Sequence, residues 1–135
     1  MIKSTYRFRT RYSEIDQMGF VYYAHYATFF EVARVELFRT IGVSYKQLEE
    51  DNILLPVSEY KIKYLLPLLY DEEFEVKTTI KNLPSGSRIH FEYELFNAKN
   101  ELCTKAETTL FFMDKIKKRP RKCPEEILEI MGNYF

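Results

Sequence analysis

Asp16, Gly19, Tyr22, Tyr23 and His25 fall within ten residues, DQMGFVYYAH, at the entrance to a long amphipathic segment. Beyond them Tyr26, Phe30, Ala33, Leu37 and Ile41 recur every three or four residues, which puts them on one face of an α-helix. The polar His25, Thr28, Glu31 and Arg39 fall mostly elsewhere on the wheel, and Gly42 stands where a left-handed C-cap belongs. A carboxylate just ahead of a helix N-terminus can serve as base or nucleophile. The free N–H groups and the positive end of the helix dipole can hold an oxyanion that develops beside it. The plainer reading of Asp16 is a loop or helix cap. Gly19, without a Cβ, lets the loop turn and a ligand approach, and a simple turn glycine is compatible with that. His25 carries an imidazole that can orient water or ligand, although a histidine in a first helical turn is more often structural. Tyr22 and Tyr26 can hydrogen-bond at the same place, but aromatic residues at helical spacing usually belong to a core. Glu14, close by, reads as solvated.

The chain that must position these groups has 135 residues, enough for one domain (1–135) with a real core. Twenty basic residues balance twenty acidic ones, which argues against nucleic acid as a partner. The basic run Lys115–Lys122 is too short and isolated to change that. The N-terminal MIKSTYRFRTRY lacks an apolar leader region, and no apolar stretch of membrane-spanning length occurs. A cytoplasmic location is expected, with no membrane insertion and only peripheral association left open. Cys103 and Cys123 lack metal-ligand spacing and read as free thiols. There is no histidine cluster, nucleophile elbow, dinucleotide fingerprint or P-loop, so neither metal nor cofactor is expected.

Alternation supplies the remaining elements. Tyr6, Phe8, Thr10 and Tyr12 oppose Arg7, Arg9 and Arg11 in a half-buried strand. Ser44-Tyr-Lys-Gln47 has the form of a capping box, which predicts a short second helix to about Asn52. Strands follow with Tyr60, Ile62 and Tyr64, then Phe74, Val76, Thr78 and Ile80, then Ile89, Phe91, Tyr93 and Leu95 on their inner faces. A fifth and longest strand carries Leu102, Ala106, Leu110 and Phe112, and Pro124 opens a short closing helix. One strand, a long helix, a short helix and four further strands make an α+β chain, with an antiparallel sheet packed on one major helix.

Asp16 to Arg34, D-x-M-G-x-V-Y-Y-x-x-Y-x-x-F-F-E-x-A-R, resembles the signature of the 4-hydroxybenzoyl-CoA thioesterase family, and especially the bacterial acyl-CoA thioesterases associated with the Tol–Pal system. Tyr60–Pro67, the Tyr70–Val76 segment and Glu101–Pro120 follow in the family's order, so the likeness covers nearly the whole chain. It implies a hotdog fold, a five-stranded antiparallel sheet wrapped around one long central helix, acting as a thioester hydrolase on an acyl- or aryl-CoA. It also implies that Asp16 is the base or nucleophile and that the Tyr23 backbone N–H is the oxyanion donor. Some Tol–Pal-type members carry histidine where Tyr23 stands and asparagine where His25 stands, so His25 does not inherit a role directly. The turn Ser85, Gly86, Ser87 and Arg88 is similar to the region that contacts the nucleotide, and an ordinary solvated turn is its plainer reading. The family's habit of pairing implies a homodimer or homotetramer. Two other readings stay open: a thioesterase acting on acyl carrier protein, and a non-catalytic acyl-CoA-binding or scaffolding protein.

Overall fold

A computed structural model describes all residues, Met1–Phe135. In chain order the elements are β1 (Ile2–Arg9), 3-10 turns at Tyr12–Glu14 and Tyr23–His25, α1 (Tyr26–Thr40), α2 (Tyr45–Glu50), β2 (Ile53–Leu54), β3 (Val57–Tyr64), β4 (Glu73–Ile80), β5 (Arg88–Asn97), β6 (Leu102–Phe111), β7 (Met113–Asp114), β8 (Arg119–Pro120) and α3 (Glu125–Gly132). The five long strands form an antiparallel sheet in the order β1-β4-β5-β6-β3. The sheet packs on α1, the hotdog arrangement expected from the sequence. No helix is long and apolar enough to cross a membrane.

Side-chain periodicity explains the packing. Phe74, Val76, Thr78 and Ile80 of β4 and Ile89, Phe91, Tyr93 and Leu95 of β5 are all buried on the inner face. Register aligns them across strands, Val76 with Leu95 and Tyr93 with Ala106. The predicted helix stripe of Tyr26, Phe30, Ala33, Leu37 and Ile41 is buried against them. Ring contacts join the two layers: Phe30 to Tyr93 at 4.7 Å, Phe29 to Phe74 at 4.8 Å, and Phe38 to Phe91 at 5.5 Å between centroids. Gly42 terminates the helix at φ +88°, as its position suggested. Ser44 caps α2 by accepting from Gln47 N at 3.3 Å, but the Gln47 amide turns to Asp51 at 3.2 Å, so only half of the capping box forms.

Three expectations are corrected. β1 starts at Ile2 rather than Tyr6, and the chain leaves the sheet before Tyr12, which is exposed. Leu102 is only half-buried because a bulge shifts the face of β6. Leu95 pairs with Thr104 and Phe96 with Leu102, which leaves Cys103 as the extra residue, buried beside Thr104. β6 is not uniquely the longest strand, since β5 and β6 have ten residues each. The basic run folds as part of a small β2-β7-β8 sheet. Asp114 Oδ1 nucleates its turn by accepting from the N–H groups of Ile116 and Lys117, both at 2.9 Å.

Burial pushes the phenols of Tyr26 and Tyr45 up to about 12, from an ordinary value near 10. The unfolded chain ionises them near pH 10 and the folded chain only near 12. Their contribution to stability is therefore intact below about pH 10 and is lost as pH rises toward 12. Alkaline titration followed by circular dichroism should show structure failing in that window. Complete unfolding below about pH 9, before either phenol ionises, would contradict the assignment.

Candidate active site

The loop between β1 and α1 is built by backbone pairing that sets two nearby carboxylates apart. Glu14, expected to be solvated, is only 3% exposed. The 3-10 turn folds it back so that its carboxylate accepts from Arg11 N at 2.7 Å and Arg11 Nη2 at 3.0 Å. Its own carbonyl receives Tyr22 N at 2.8 Å. Ile15 bridges to Val21, Asp16 N donates to Phe20 O at 2.8 Å and Gly19 N donates to Asp16 O at 3.1 Å. Gly19 holds φ +82° in this tight return.

The same turn aims the side chain of Asp16. Its Oδ1 accepts from Met18 N at 2.8 Å and Phe20 N at 3.1 Å. Its Oδ2 has no partner within the chain. Such a carboxylate is oriented by one oxygen and keeps the other for a ligand or water.

The loop is tied to the connection between β3 and β4. Val21 N donates to Leu68 O at 2.9 Å, and Phe20 bridges to Leu69. Thr10, buried at the end of β1, donates to Leu69 O at 2.6 Å and accepts from Glu72 N at 2.8 Å. On the other side, Leu65 N and Leu66 N both donate to Cys103 O, the bulged residue of β6, at 2.7 and 3.0 Å. A cavity of about 380 Å³ lies between these segments, with Asp16, Phe20, Tyr23 and Tyr26 on one wall and Tyr64–Pro67 on the other.

Asp16 and Tyr23 are thus brought to one cavity. The helical segment begins with its 3-10 turn, and the N–H groups of Tyr23 and Ala24 donate to no acceptor in the chain. The Tyr22 ring lies 4.8 Å from that of Tyr23, and its phenol is raised above the ordinary value, first by hydrogen bonding to Tyr23 and in smaller part by the Asp16 charge. His25 is half-buried just outside this cavity; its ring lies edge-on to Tyr22 at 6.2 Å, and its backbone N–H closes the turn onto Tyr22 O at 3.0 Å.

The turn Ser85–Arg88 is not brought to Asp16. Ser85 and Arg88 exchange two backbone bonds of 3.0 Å, with Gly86 at φ +60° between them. The Gly86 and Ser87 carbonyls accept from Cys123 N and Phe112 N, whereas their N–H groups stay free. Arg88 pairs with Phe111 on β6, while Tyr64, beside Asp16, pairs with Thr104. Seven residues of strand separate those rungs, about 23 Å at 3.3 Å per residue.

The cavity wall Tyr64–Pro67 was missed from sequence. Its signal was available: the run Tyr64-Leu-Leu-Pro-Leu-Leu-Tyr70 is far too apolar for an ordinary exposed turn.

Residues 10–131 match the family described as the thioesterase-like superfamily. The chain belongs to that superfamily. The acyl-CoA thioester hydrolase YbgC of Escherichia coli is 31% identical over 120 residues, covering 89% of each chain. The acyl-acyl carrier protein thioesterase ATL2 of Arabidopsis thaliana is 32% identical over 127 residues, covering 93% of this chain and 66% of that one. Among solved structures, the DHNA-CoA thioesterase of Staphylococcus aureus superposes with a TM-score of 0.94 at 33% identity, covering 99% of this chain and 91% of that one. The hotdog fold and the thioester-hydrolase class read from the Asp16–Arg34 signature are borne out.

Gly19 gives a direct test of the loop. No atom lies within 4 Å of a Cβ built at this position, so Gly19→Ala carries backbone strain without a clash. It should cost about 1–2 kcal/mol in urea denaturation, and Gly19→Asn should cost less because asparagine tolerates the left-handed region. Equal losses for Ala and Asn would show that φ is not the constraint.

Proposed function

We propose that this thioesterase hydrolyses acyl-CoA thioesters, with Asp16 as general base or nucleophile and the Tyr23 N–H as oxyanion donor. The observation that carries the reading is the half-used carboxylate of Asp16 sharing an apolar cavity with an unpaired helix-start N–H. In the base form, Asp16 Oδ2 takes a proton from water as the water oxygen adds to the thioester carbonyl carbon. The resulting oxyanion is held by the Tyr23 N–H, and N–H donors fixed in place cost no reorganisation as that charge appears. Collapse breaks the C–S bond, and the departing thiolate recovers the proton from Asp16. In the nucleophile form, Asp16 Oδ2 attacks the carbonyl carbon and the C–S bond breaks, which expels the thiolate and leaves a mixed anhydride. Water then hydrolyses the anhydride to the free acid and the Asp16 carboxylate, and the thiolate takes up the proton released.

The family resemblance and the coenzyme A thioesterase relatives support the nucleotide carrier. The free N–H groups of Gly86 and Ser87, with Arg88, suit its phosphates. Their distance from Asp16 within one chain favours a homo-oligomer, in which this turn serves a thioester held by another copy. The unpaired edge of β3 supports the same reading. Acyl carrier protein is the second reading, favoured by the Arabidopsis relative. Acyl-CoA hydrolysed no better than an acyl-pantetheine would support it, and an absence of thiol release from any thioester would leave a binding protein.

Asp16→Asn keeps the volume of the side chain but cannot take the proton or act as a good nucleophile. We expect kcat to fall by about 10²–10⁴-fold, with a near-normal Kd for a non-hydrolysable acyl-CoA analogue. A folded variant that retains more than about a tenth of the parent rate would remove Asp16 from the chemistry. Arg88→Ala should raise KM for acyl-CoA roughly tenfold with kcat largely kept, as expected for a contact equal in ground and transition states. An unchanged KM would move the phosphate contact elsewhere. Light scattering at micromolar concentration should report a dimer or larger, and an active monomer would overturn the shared-site reading.

A further inference from the structure

Arg34 is a buried cation that the catalytic reading does not use. It is 6% exposed on the sheet-facing side of α1, and none of the ion pairs in the chain includes it. Its Nε donates to Tyr45 Oη at 3.1 Å and its Nη1 donates to Tyr93 Oη at 3.0 Å. Tyr93 Oη is in turn 2.7 Å from Thr108 Oγ1. The guanidinium carbon lies 5.8 Å from the Phe91 ring centroid. A guanidinium has five N–H donors, and the others, including both on Nη2, have no acceptor in the chain.

Those donors border two cavities beside α1. One, of about 290 Å³, is bounded by Phe30, Glu31, Val57, Tyr60 and Thr108. The other, of about 260 Å³, is bounded by Glu31, Tyr45, Leu48, Glu49 and Leu55. The unpaired Nη2 keeps contact with solvent, while the rest of the guanidinium is buried without a counter-ion, a cost that two phenol dipoles offset only in part. A pre-oriented cation with open planar donors is built to receive a carboxylate.

The larger cavity lies on the same seam as the catalytic one. Tyr26 meets Tyr64 across α1 and β3 with 5.1 Å between ring centroids, and one helical turn on, Phe30 meets Tyr60 at 6.3 Å. Tyr23 and Arg34 are about 16 Å apart along the helical segment at 1.5 Å per residue. The arginine side chain leans back toward the helix start, which shortens that span. An acyl group whose thioester sits at Asp16 and Tyr23 would reach Arg34 along this aromatic seam by parting the Tyr26–Tyr64 and Phe30–Tyr60 ring contacts.

We propose that Arg34 is a specificity-determining residue that pairs with a carboxylate at the far end of the acyl group, so that the preferred substrates are monothioesters of dicarboxylic acids. This rests on the thioesterase reading above. Two anions compete: Glu31 borders both cavities one turn before Arg34, and Glu49 borders the smaller one, but both are exposed and neither makes an ion pair with Arg34 in this structure.

The test uses matched pairs of acyl-CoA esters of increasing length, one of each pair ending in a carboxylate and the other in a methyl group. The parent should favour the carboxylate member at one length, chiefly through KM. In Arg34→Gln the kcat/KM ratio of that pair should fall by about 10- to 100-fold, the range of one charge-assisted contact. Glu31→Gln should enlarge the ratio by removing the competitor that borders both cavities. A parent without preference at any length, or a folded Arg34→Gln that keeps the preference, overturns the proposal. If Arg34→Gln does not fold, the parent itself decides. The free dicarboxylic acid should raise its Tm more than the monocarboxylic acid of equal length, and equal shifts overturn the proposal. That binding measurement also separates the two ideas, because a parent that hydrolyses no thioester but still selects the dicarboxylate refutes the catalytic reading alone.

Discussion

Burial of one face of α1 in the curved sheet is the constraint on which everything else depends. The helix cannot rotate, because Phe29, Phe30 and Phe38 each meet an aromatic ring of β4 or β5. It cannot slide, because Gly42 and the cap at Ser44 turn the chain directly into α2. Fixing the body of the helix fixes its first turn, and the unpaired N–H groups of Tyr23 and Ala24 are therefore a stationary feature rather than a fraying end. Fixed dipoles are what a site that stabilises developing charge needs, since they require no reorganisation when the charge arrives.

Glu14 and Asp16 show how local backbone geometry divides like groups between structure and chemistry. The 3-10 turn spends both oxygens of Glu14 on Arg11, which leaves it inert and buried. The tighter return around Gly19 gives Asp16 two N–H donors on one oxygen only. The second oxygen makes no hydrogen bond within the chain, and Asp16 borders a cavity whose other wall is apolar. Low polarity around a lone free oxygen strengthens whatever interaction it makes.

Periodic features were legible in the sequence and non-periodic ones were not. Phe74–Ile80 and Ile89–Leu95 repeat at two residues and the Tyr26–Ile41 stripe at three or four, so faces and layers could be read directly. The Cys103 bulge breaks that parity within β6, and nothing in the local composition announces it. The two-residue strands β2, β7 and β8 are too short to show any period. At the site, Asp16, Gly19 and Tyr23 were legible because their relation is local, inside one loop and one helix start. The burial of Glu14 depends on a partner three residues back, and composition favours solvating such a pair. The Tyr64–Pro67 wall and the separation of Arg88 from Asp16 follow from strand order, which carries the chain from β3 past β6 and β5 to β4. No local pattern encodes that crossing.

The strand order also explains where the molecule stays open. β3 is an edge, so its inner-face residues Tyr60 and Tyr64 are covered by α1 on one side and by nothing beyond, and they remain 40% and 46% exposed. Central strands of similar composition bury the corresponding side chains almost completely. The seam between α1 and β3 is therefore a line along the core where aromatic surface meets solvent. An edge strand left bare in this way invites pairing with another chain. A seam lined by aromatic rings invites an apolar ligand in the same place. Both consequences come from one topological fact, the position of β3 at the edge of the sheet.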